Sequence, residues 1–387
     1  MNYSRTASSL SPSATLELSA RAKALAAEGR DVVALSAGQP DFPTPAPIAE
    51  AGIRAIRDGR TGYTPSSGIP ELRRAVASSY SERRGIEWSQ PNVLVSCGAK
   101  HCLANLISAA INPGDRVLLP EPYWVSYPEM VKAAGGVPVL PGGDLTPESI
   151  RRAAEGGVVG VILNYPSNPT GFVPSRDAMA ELADAVAESG IWVISDDIYE
   201  DLFYEEGNVP HILDHRPDLA GVTAVVSGVS KTYAMTGWRI GYALAPVDWI
   251  RLAGLIQAHT TSNPCSISQW ASLAAVEGAA ETERLSMLES FRGRRDLVME
   301  LLGQEEGLLV QEPRGAFYVF PRLLSDPMKD DTQRFCGELL DQEGVAIVPG
   351  SAFGAEGFIR VSFAASDEHI REGIRRLSGF LHRRRSQ

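Results

Sequence analysis

What this sequence lacks narrows it first. No apolar run reaches the length needed to cross a bilayer. The N-terminus, Met-Asn-Tyr-Ser-Arg-Thr, has no charged start followed by an apolar core, so no secretory signal is expected. Cysteine is scarce: Cys97, Cys102, Cys265 and Cys336 are the full set, with no Cys-x-x-Cys pair. That count argues against a disulfide scaffold and reads as the reduced thiols of a cytoplasmic protein. Six histidines form no cluster, and no metal site is expected. Positive charge is in deficit, with 36 Lys and Arg against 47 Asp and Glu, a net −11 that argues against a nucleic-acid partner. The basic tail His382-Arg-Arg-Arg385 reads as a solvated terminus. No repeat and no low-complexity linker interrupts the chain. No Gly-x-Gly-x-x-Gly follows the first strand-like run, which disfavours a dinucleotide-binding fold.

What is present is alternation. A length of 387 residues predicts two domains, or a large one with a smaller companion. Strand-like runs are expected at 93–97, 116–119, 137–140, 158–164, 191–195, 222–226 and 241–244, with amphipathic helices between several of them. That pattern predicts an α/β fold, a mostly parallel sheet covered by helices on both faces. Helices are expected at 16–28, 71–84, 248–259, 266–278 and 281–302. The last third then changes character. Strands at 316–320, 345–348 and 358–362 and a final helix at 368–383 predict a smaller α+β domain, with a hinge near the long helix.

In such sheets, ligands bind at the carboxyl ends of the strands. Gly98, Asn168, Asp196 and Lys231 each fall at or just past the end of a strand-like run. The stretch Ser227-Gly-Val-Ser-Lys-Thr-Tyr-Ala-Met-Thr-Gly-Trp-Arg-Ile-Gly241 is the most informative. Lys231 sits there among small residues, and Arg239 follows eight positions on. A lysine that bonds covalently to a carbonyl must be deprotonated, which a crowded, desolvated pocket favours. An arginine fork suits a phosphate. The alternative is a surface loop with two solvated cations.

Together, Gly228-Val-Ser-Lys231 and Ala-Met-Thr-Gly-Trp-Arg-Ile-Gly resemble the cofactor-lysine signature of the class I/II aminotransferases, pyridoxal-phosphate (PLP) enzymes of fold type I. The resemblance spans about residues 13–360 and looks closest to the prokaryotic-type aspartate aminotransferases. It implies a division into 1–40 (N-terminal arm and part of the small domain), 41–285 (large PLP-binding domain) and 286–387 (C-terminal small domain). It also implies a homodimer with shared active sites.

Residue by residue, the resemblance implies that Lys231 forms the Schiff base with PLP and moves the substrate's Cα proton. Asp196, three residues before Tyr199 in Ile194-Ser-Asp-Asp-Ile-Tyr-Glu200, would face the pyridine nitrogen. Asp197 is the competing carboxylate, and a helix-capping role is the alternative for both. Asn168, in Asn164-Tyr-Pro-Ser-Asn-Pro-Thr-Gly171, and Tyr199 would hold the ring's phenolic oxygen. Trp124, in Glu121-Pro-Tyr-Trp124, would cover the ring face. The phosphate cradle would be Gly98, Ala99, Lys100, Ser230, Arg239 and, from the neighbouring subunit, Tyr63. Many relatives carry a serine where this chain has Gly228, which leaves Ser230 as the hydroxyl donor of that loop. Gly38 and Arg360 would meet the substrate carboxylate, Arg360 as a bidentate pair. An internal salt bridge is the alternative for Arg360.

Substrate choice rests on Lys100 and Thr15. Animal and enteric aspartate aminotransferases reach the distal carboxylate with an arginine at the position that is Ala258 here. The prokaryotic-type branch uses a lysine matched by Lys100 and a threonine matched by Thr15, which points to aspartate and 2-oxoglutarate. Relatives that act on prephenate often carry a basic residue where this chain has Ser11, which points away from prephenate. The rival readings keep the cofactor: an aromatic, prephenate or broad-range aminotransferase, or a PLP β-lyase. A ligand-sensing module of a transcription regulator is disfavoured, because the chain starts almost directly at the aminotransferase arm.

Overall fold

The computed structural model describes Met1, residues 3–324 and residues 326–385. Its centre is a seven-stranded sheet of β1 (Val93–Ser96), β2 (Arg116–Leu118), β3 (Val137–Val139), β4 (Val158–Asn164), β5 (Trp192–Asp196), β6 (Thr223–Gly228) and β7 (Gly241–Leu244). The spatial order is β1-β7-β6-β5-β4-β2-β3. All neighbours are parallel except β7, which runs antiparallel to both β1 and β6. Strand residues alternate between two apolar cores, as a period of two requires. Val161, Val193 and Val225 face helices carrying Leu72, Leu182 and Val186. Ile162, Ile194 and Val226 face helices carrying Leu103, Leu106 and Val131. Burial on both faces explains why these strands read as unbroken apolar runs.

A separate core gathers the C-terminal third. The long helix Glu281–Leu302 contributes Phe291 and Val298, the terminal helix Asp367–Arg385 contributes Ile370, Ile374 and Phe380, and Thr332–Glu343 contributes Phe335 and Leu339. These pack on a three-stranded sheet of β8 (Tyr318–Val319), β9 (Val348–Pro349) and β10 (Ile359–Ser362), in the order β8-β10-β9. The N-terminal segment joins this core rather than the central one. Val33–Ala34 pairs in parallel with Val345–Ala346, and Val33 and Leu35 are buried in it. Ile198, Tyr199 and Leu202, just past β5, also belong to it, so the two cores meet beside the ends of the central strands.

Two expected elements come out shorter or divided. The run at 316–320 yields only β8, because Ala316 takes a left-handed φ of 57° and breaks the extended chain. The run at 345–348 splits between two sheets, 345–346 pairing with 33–34 and 348–349 pairing with β10. Lys231 lies on a one-turn helix, Val229–Thr232, rather than in an open loop.

Candidate active site

The central strands deliver their carboxyl ends to one place. Asn164 is the register partner of Asp196, and Asp196 that of Val226. Above them opens a cavity of about 440 Å³. Its walls include Lys231, Asp196, Tyr199, Asn168, Trp124, Ala99, Lys100, Ser230, Arg239, Arg360, Gly38 and Thr15. Of the residues expected to hold the cofactor or substrate, Gly98 and Tyr63 are not in the wall. Gly98 lies one residue behind it, at the helix start. Tyr63 is 95% exposed on the outer surface.

Asp196 closes β5 and is buried. Its Oδ2 accepts from the Tyr127 hydroxyl at 2.7 Å, and its Oδ1 accepts only a long bond of 3.3 Å from the Ile198 amide. Burial pushes its carboxyl up to about 6. The bonds from Tyr127 and Ile198 oppose that rise, Asp197 adds to it, and Lys231 works against it. Asp197 points elsewhere, bonding Ser195 Oγ at 2.5 Å and facing Arg84 and His211. A turn, not a helix, follows the two acids, so neither serves as a helix cap.

Lys231 Nζ donates to the Gly38 carbonyl at 2.6 Å. Burial pulls the amine down to about 8, and the Arg239 and Arg360 guanidiniums pull the same way while Asp196 opposes them. Arg239 holds a left-handed φ of 57° and is anchored to the Thr236 and Cys97 carbonyls at 2.9 and 3.3 Å. Gly98 fits beneath it: φ is 90°, and a Cβ there would overlap Arg239 Nη2. The helix Ala99–Ala110 starts at this turn, and its first amides, on Ala99 and Lys100, have no partner among the described residues. Lys100 Nζ stands 4.8 Å over the Trp124 ring, and Trp124 packs edge-on against Tyr127. Partial burial and Arg239 hold the Lys100 amine below its ordinary value.

Arg360, in the middle of β10, is 2% exposed. It donates to Asn168 Oδ1 at 2.8 Å and to the Ser36 carbonyl at 3.0 Å, and its Nε is buried without a partner. No carboxylate pairs with it among the described residues, so the internal salt bridge is not there. Its guanidinium lies 4.3 Å from the Tyr318 ring centre. Tyr318 and Tyr199 share a hydroxyl bond of 2.9 Å. Among the described residues, five cations and one carboxylate, Asp196, line the cavity.

The sequence model of aminotransferase class I and II matches residues 30–377. The aspartate/prephenate aminotransferase of Cereibacter sphaeroides is 42% identical over 97% of this chain and 98% of that protein. The aspartate aminotransferase of Geobacillus stearothermophilus is 39% identical over 99% and 100%. The structure of the Thermus thermophilus aspartate aminotransferase with maleate superposes with a TM-score of 0.92 at 39% identity, covering 98% of this chain and 99% of that one. The chain belongs to the class I and II aminotransferases. It is an enzyme that transfers amino groups, on the α/β fold of that family.

Four residues of this aminotransferase's site had no role assigned from the sequence. Tyr127 bonds Asp196, Tyr318 bonds Tyr199, the Ser36 carbonyl holds Arg360, and Asn164 Nδ2 bonds the Asp196 carbonyl at 2.8 Å. The two tyrosines lie in apolar surroundings that read as core. Only the three-residue spacing of Trp124 and Tyr127 hinted that both face one side of a helical turn. Gly228 is explained as well. A Cβ there would stand 2.9 Å from Gly241 Cα and 3.0 Å from the Ile240 carbonyl, so the β6–β7 pairing leaves no room for serine.

Proposed function

We propose that this aminotransferase uses PLP and exchanges the amino group of L-aspartate with 2-oxoglutarate, giving oxaloacetate and L-glutamate in two half-reactions at one site. The observation that carries the reading is the pairing, in one cavity, of an amine lowered to about 8 with a lone carboxylate, flanked by Arg239 and Arg360.

The donor set fits PLP. Arg239, Ser230 and the unpaired amides of Ala99 and Lys100 would hold a phosphate at the helix start, where partial positive charge collects. Gly98 keeps the cradle open, since any side chain would displace Arg239. Asp196 Oδ1, with its single weak bond, has capacity for a ring N–H. Asn168 and Tyr199 would take the phenolic oxygen, and Trp124 the ring face. When bound, PLP supplies a carbonyl carbon that takes the amino group and a protonated ring that draws electrons from Cα.

The chain's own groups do the rest. Arg360 binds the α-carboxylate through the N–H groups that Asn168 and Ser36 leave free, which fixes the Cα–H direction. Lys231, with its amine partly neutral near pH 7–8, takes the proton from Cα and returns it. Asp196 keeps a proton at the ring nitrogen by staying ionised opposite it. Lys100 and Thr15 meet the distal carboxylate. Tyr63 of the partner subunit would complete the phosphate cradle, in keeping with its exposure here. Among the described residues no helix is long and apolar enough to cross a membrane.

The dicarboxylate preference is supported by Lys100 and by the Thermus relative's structure with maleate, itself a dicarboxylate. For prephenate, the Cereibacter relative is named for both substrates. Ser11 spends its amide on Glu129 at 2.9 Å and is absent from the cavity wall. The test is the absorbance spectrum of the purified protein with one amino acid at a time and no oxo acid. Aspartate and glutamate should convert the cofactor band, and tyrosine should not. Conversion by tyrosine or alanine with aspartate inert would overturn the substrate assignment.

A further inference from the structure

Lysine is rare in this chain: five lysines stand against 31 arginines. Three of the five, Lys23, Lys100 and Lys231, line one cavity. Proposed roles exist for two of them. Lys23 lies on the helix Ala14–Ala27, which is held mainly on one side. Ala22 is its only buried residue, and Leu18 and Leu25 pack with Ala22 against Leu340 and Ala346. Thr15, Ser19 and Lys23 follow one another at intervals of four, so they form a single stripe, and all three border the cavity. The stripe offers two hydroxyls and an amine. Lys23 is exposed, and no carboxylate pairs with it among the described residues. On a protein of net charge −11, where arginines are mostly tied to acids, an unpaired cation at a cavity rim calls for an anionic visitor.

We propose that Lys23, with Ser19 beside it, is a specificity-determining residue that meets the far carboxylate of dicarboxylate substrates as they enter and settle. This rests on the dicarboxylate reading above. The chemistry favours lysine over arginine at this point. The two substrates differ by one methylene while sharing the Arg360 anchor, so the far carboxylate has two positions. A single ammonium on a flexible stem follows both, whereas a planar fork fits one geometry. Lys23 also adds positive potential at the mouth of a cavity in an acidic protein, which raises the local concentration of dianions in a salt-dependent way.

The experiment uses the PLP-loaded enzyme and compares wild type with Lys23→Gln and Lys23→Arg. Maleate, a dicarboxylate with no group to transfer, and butyrate, a monocarboxylate of the same length, are titrated against the cofactor absorbance at two salt concentrations. Expected for Lys23→Gln is a rise in the maleate Kd of about fivefold, the scale of one partly exposed ion pair. The butyrate Kd should stay within about twofold, and the maleate Kd should lose part of its salt dependence. The KM for 2-oxoglutarate should rise in parallel with maleate while kcat moves much less, and Lys23→Arg, which keeps the charge but not the flexible ammonium, should recover the salt dependence and part of the maleate loss. An unchanged maleate Kd in Lys23→Gln overturns the role of Lys23 alone. Equal losses in both variants overturn it too, since they indicate packing rather than charge. A wild type that binds maleate no better than butyrate overturns the dicarboxylate reading itself, and this proposal with it.

Discussion

Lys231 is charged below about pH 8 and Asp196 above about pH 6, so near neutrality both carry a charge that burial opposes. The effect on folding has opposite signs in pH. The folded Lys231 value lies below its ordinary 10.5, so between about 8 and 10.5 the unfolded chain binds more protons and stability rises with pH. Below pH 8 the full penalty is present. The folded Asp196 value lies above its ordinary 3.8, so stability falls as pH rises from 3.8 to about 6. Replacing Lys231 with methionine should therefore abolish transamination yet leave the cofactor-free protein as stable as wild type or more so at pH 7. Its melting temperature should lie roughly a few degrees higher, and the gap should shrink towards pH 10. A variant that melts lower at pH 7, or a gap independent of pH, would contradict this. Residue-level chemistry was legible in the sequence at Lys231, a charge among small residues just past a strand-like run, and at Arg360, a charge inside an apolar run. It was illegible at Tyr127 and Tyr318, whose hydroxyls act through bonds that span 69 and 119 residues of chain.

The elements that carry the site are short turns between well-marked strands and helices. The strands β4 and β7 fall where the apolar runs put them, because a strand buried on both faces has to be apolar throughout. Direction was not written in those runs: β7 returns antiparallel between two parallel neighbours, and only the connection through Val229–Gly241 decides that. That connection carries Arg239, part of the phosphate cradle we propose, with Gly241 packed on the Gly98–Ala99 backbone and Gly98 under Arg239. Replacing Gly98 with alanine should act on cofactor binding before it acts on folding. The methyl group meets the far end of a flexible arginine, and a φ of 90° with ψ of 161°, a region nearly reserved for glycine, adds strain of about 1–3 kcal/mol. PLP affinity should fall at least about tenfold, the loss of one good charged hydrogen bond. Equilibrium dialysis against free PLP measures it, and a retained affinity would show that Arg239 does not need its present position.

At the scale of the whole molecule, the cavity is bounded by parts far apart in sequence: the helix Ala14–Ala27, the ends of β4 to β6, and β10. The segment around Val33–Ala34 pairs with Val345–Ala346, so residues from the two ends of the chain share one core. The expected partnership of two chains is testable on the same geometry. Tyr63 is 95% exposed and outside its own chain's cavity wall, so its proposed contact with PLP needs a second copy. Suppose one chain carries Tyr63→Ala and the other Lys231→Ala, each alone giving weakly active or inactive dimers. In a mixed dimer, one site has lost both residues, while the other has Lys231 from one chain and Tyr63 from its partner, hence a complete set. Unfolding and refolding an equal mixture should then restore about a quarter of wild-type activity, since half the dimers are mixed and each regains one of its two sites. Activity no higher than the sum of the separately refolded variants would mean that Tyr63 does not serve the neighbouring site, and the phosphate cradle would have to be completed within a single chain.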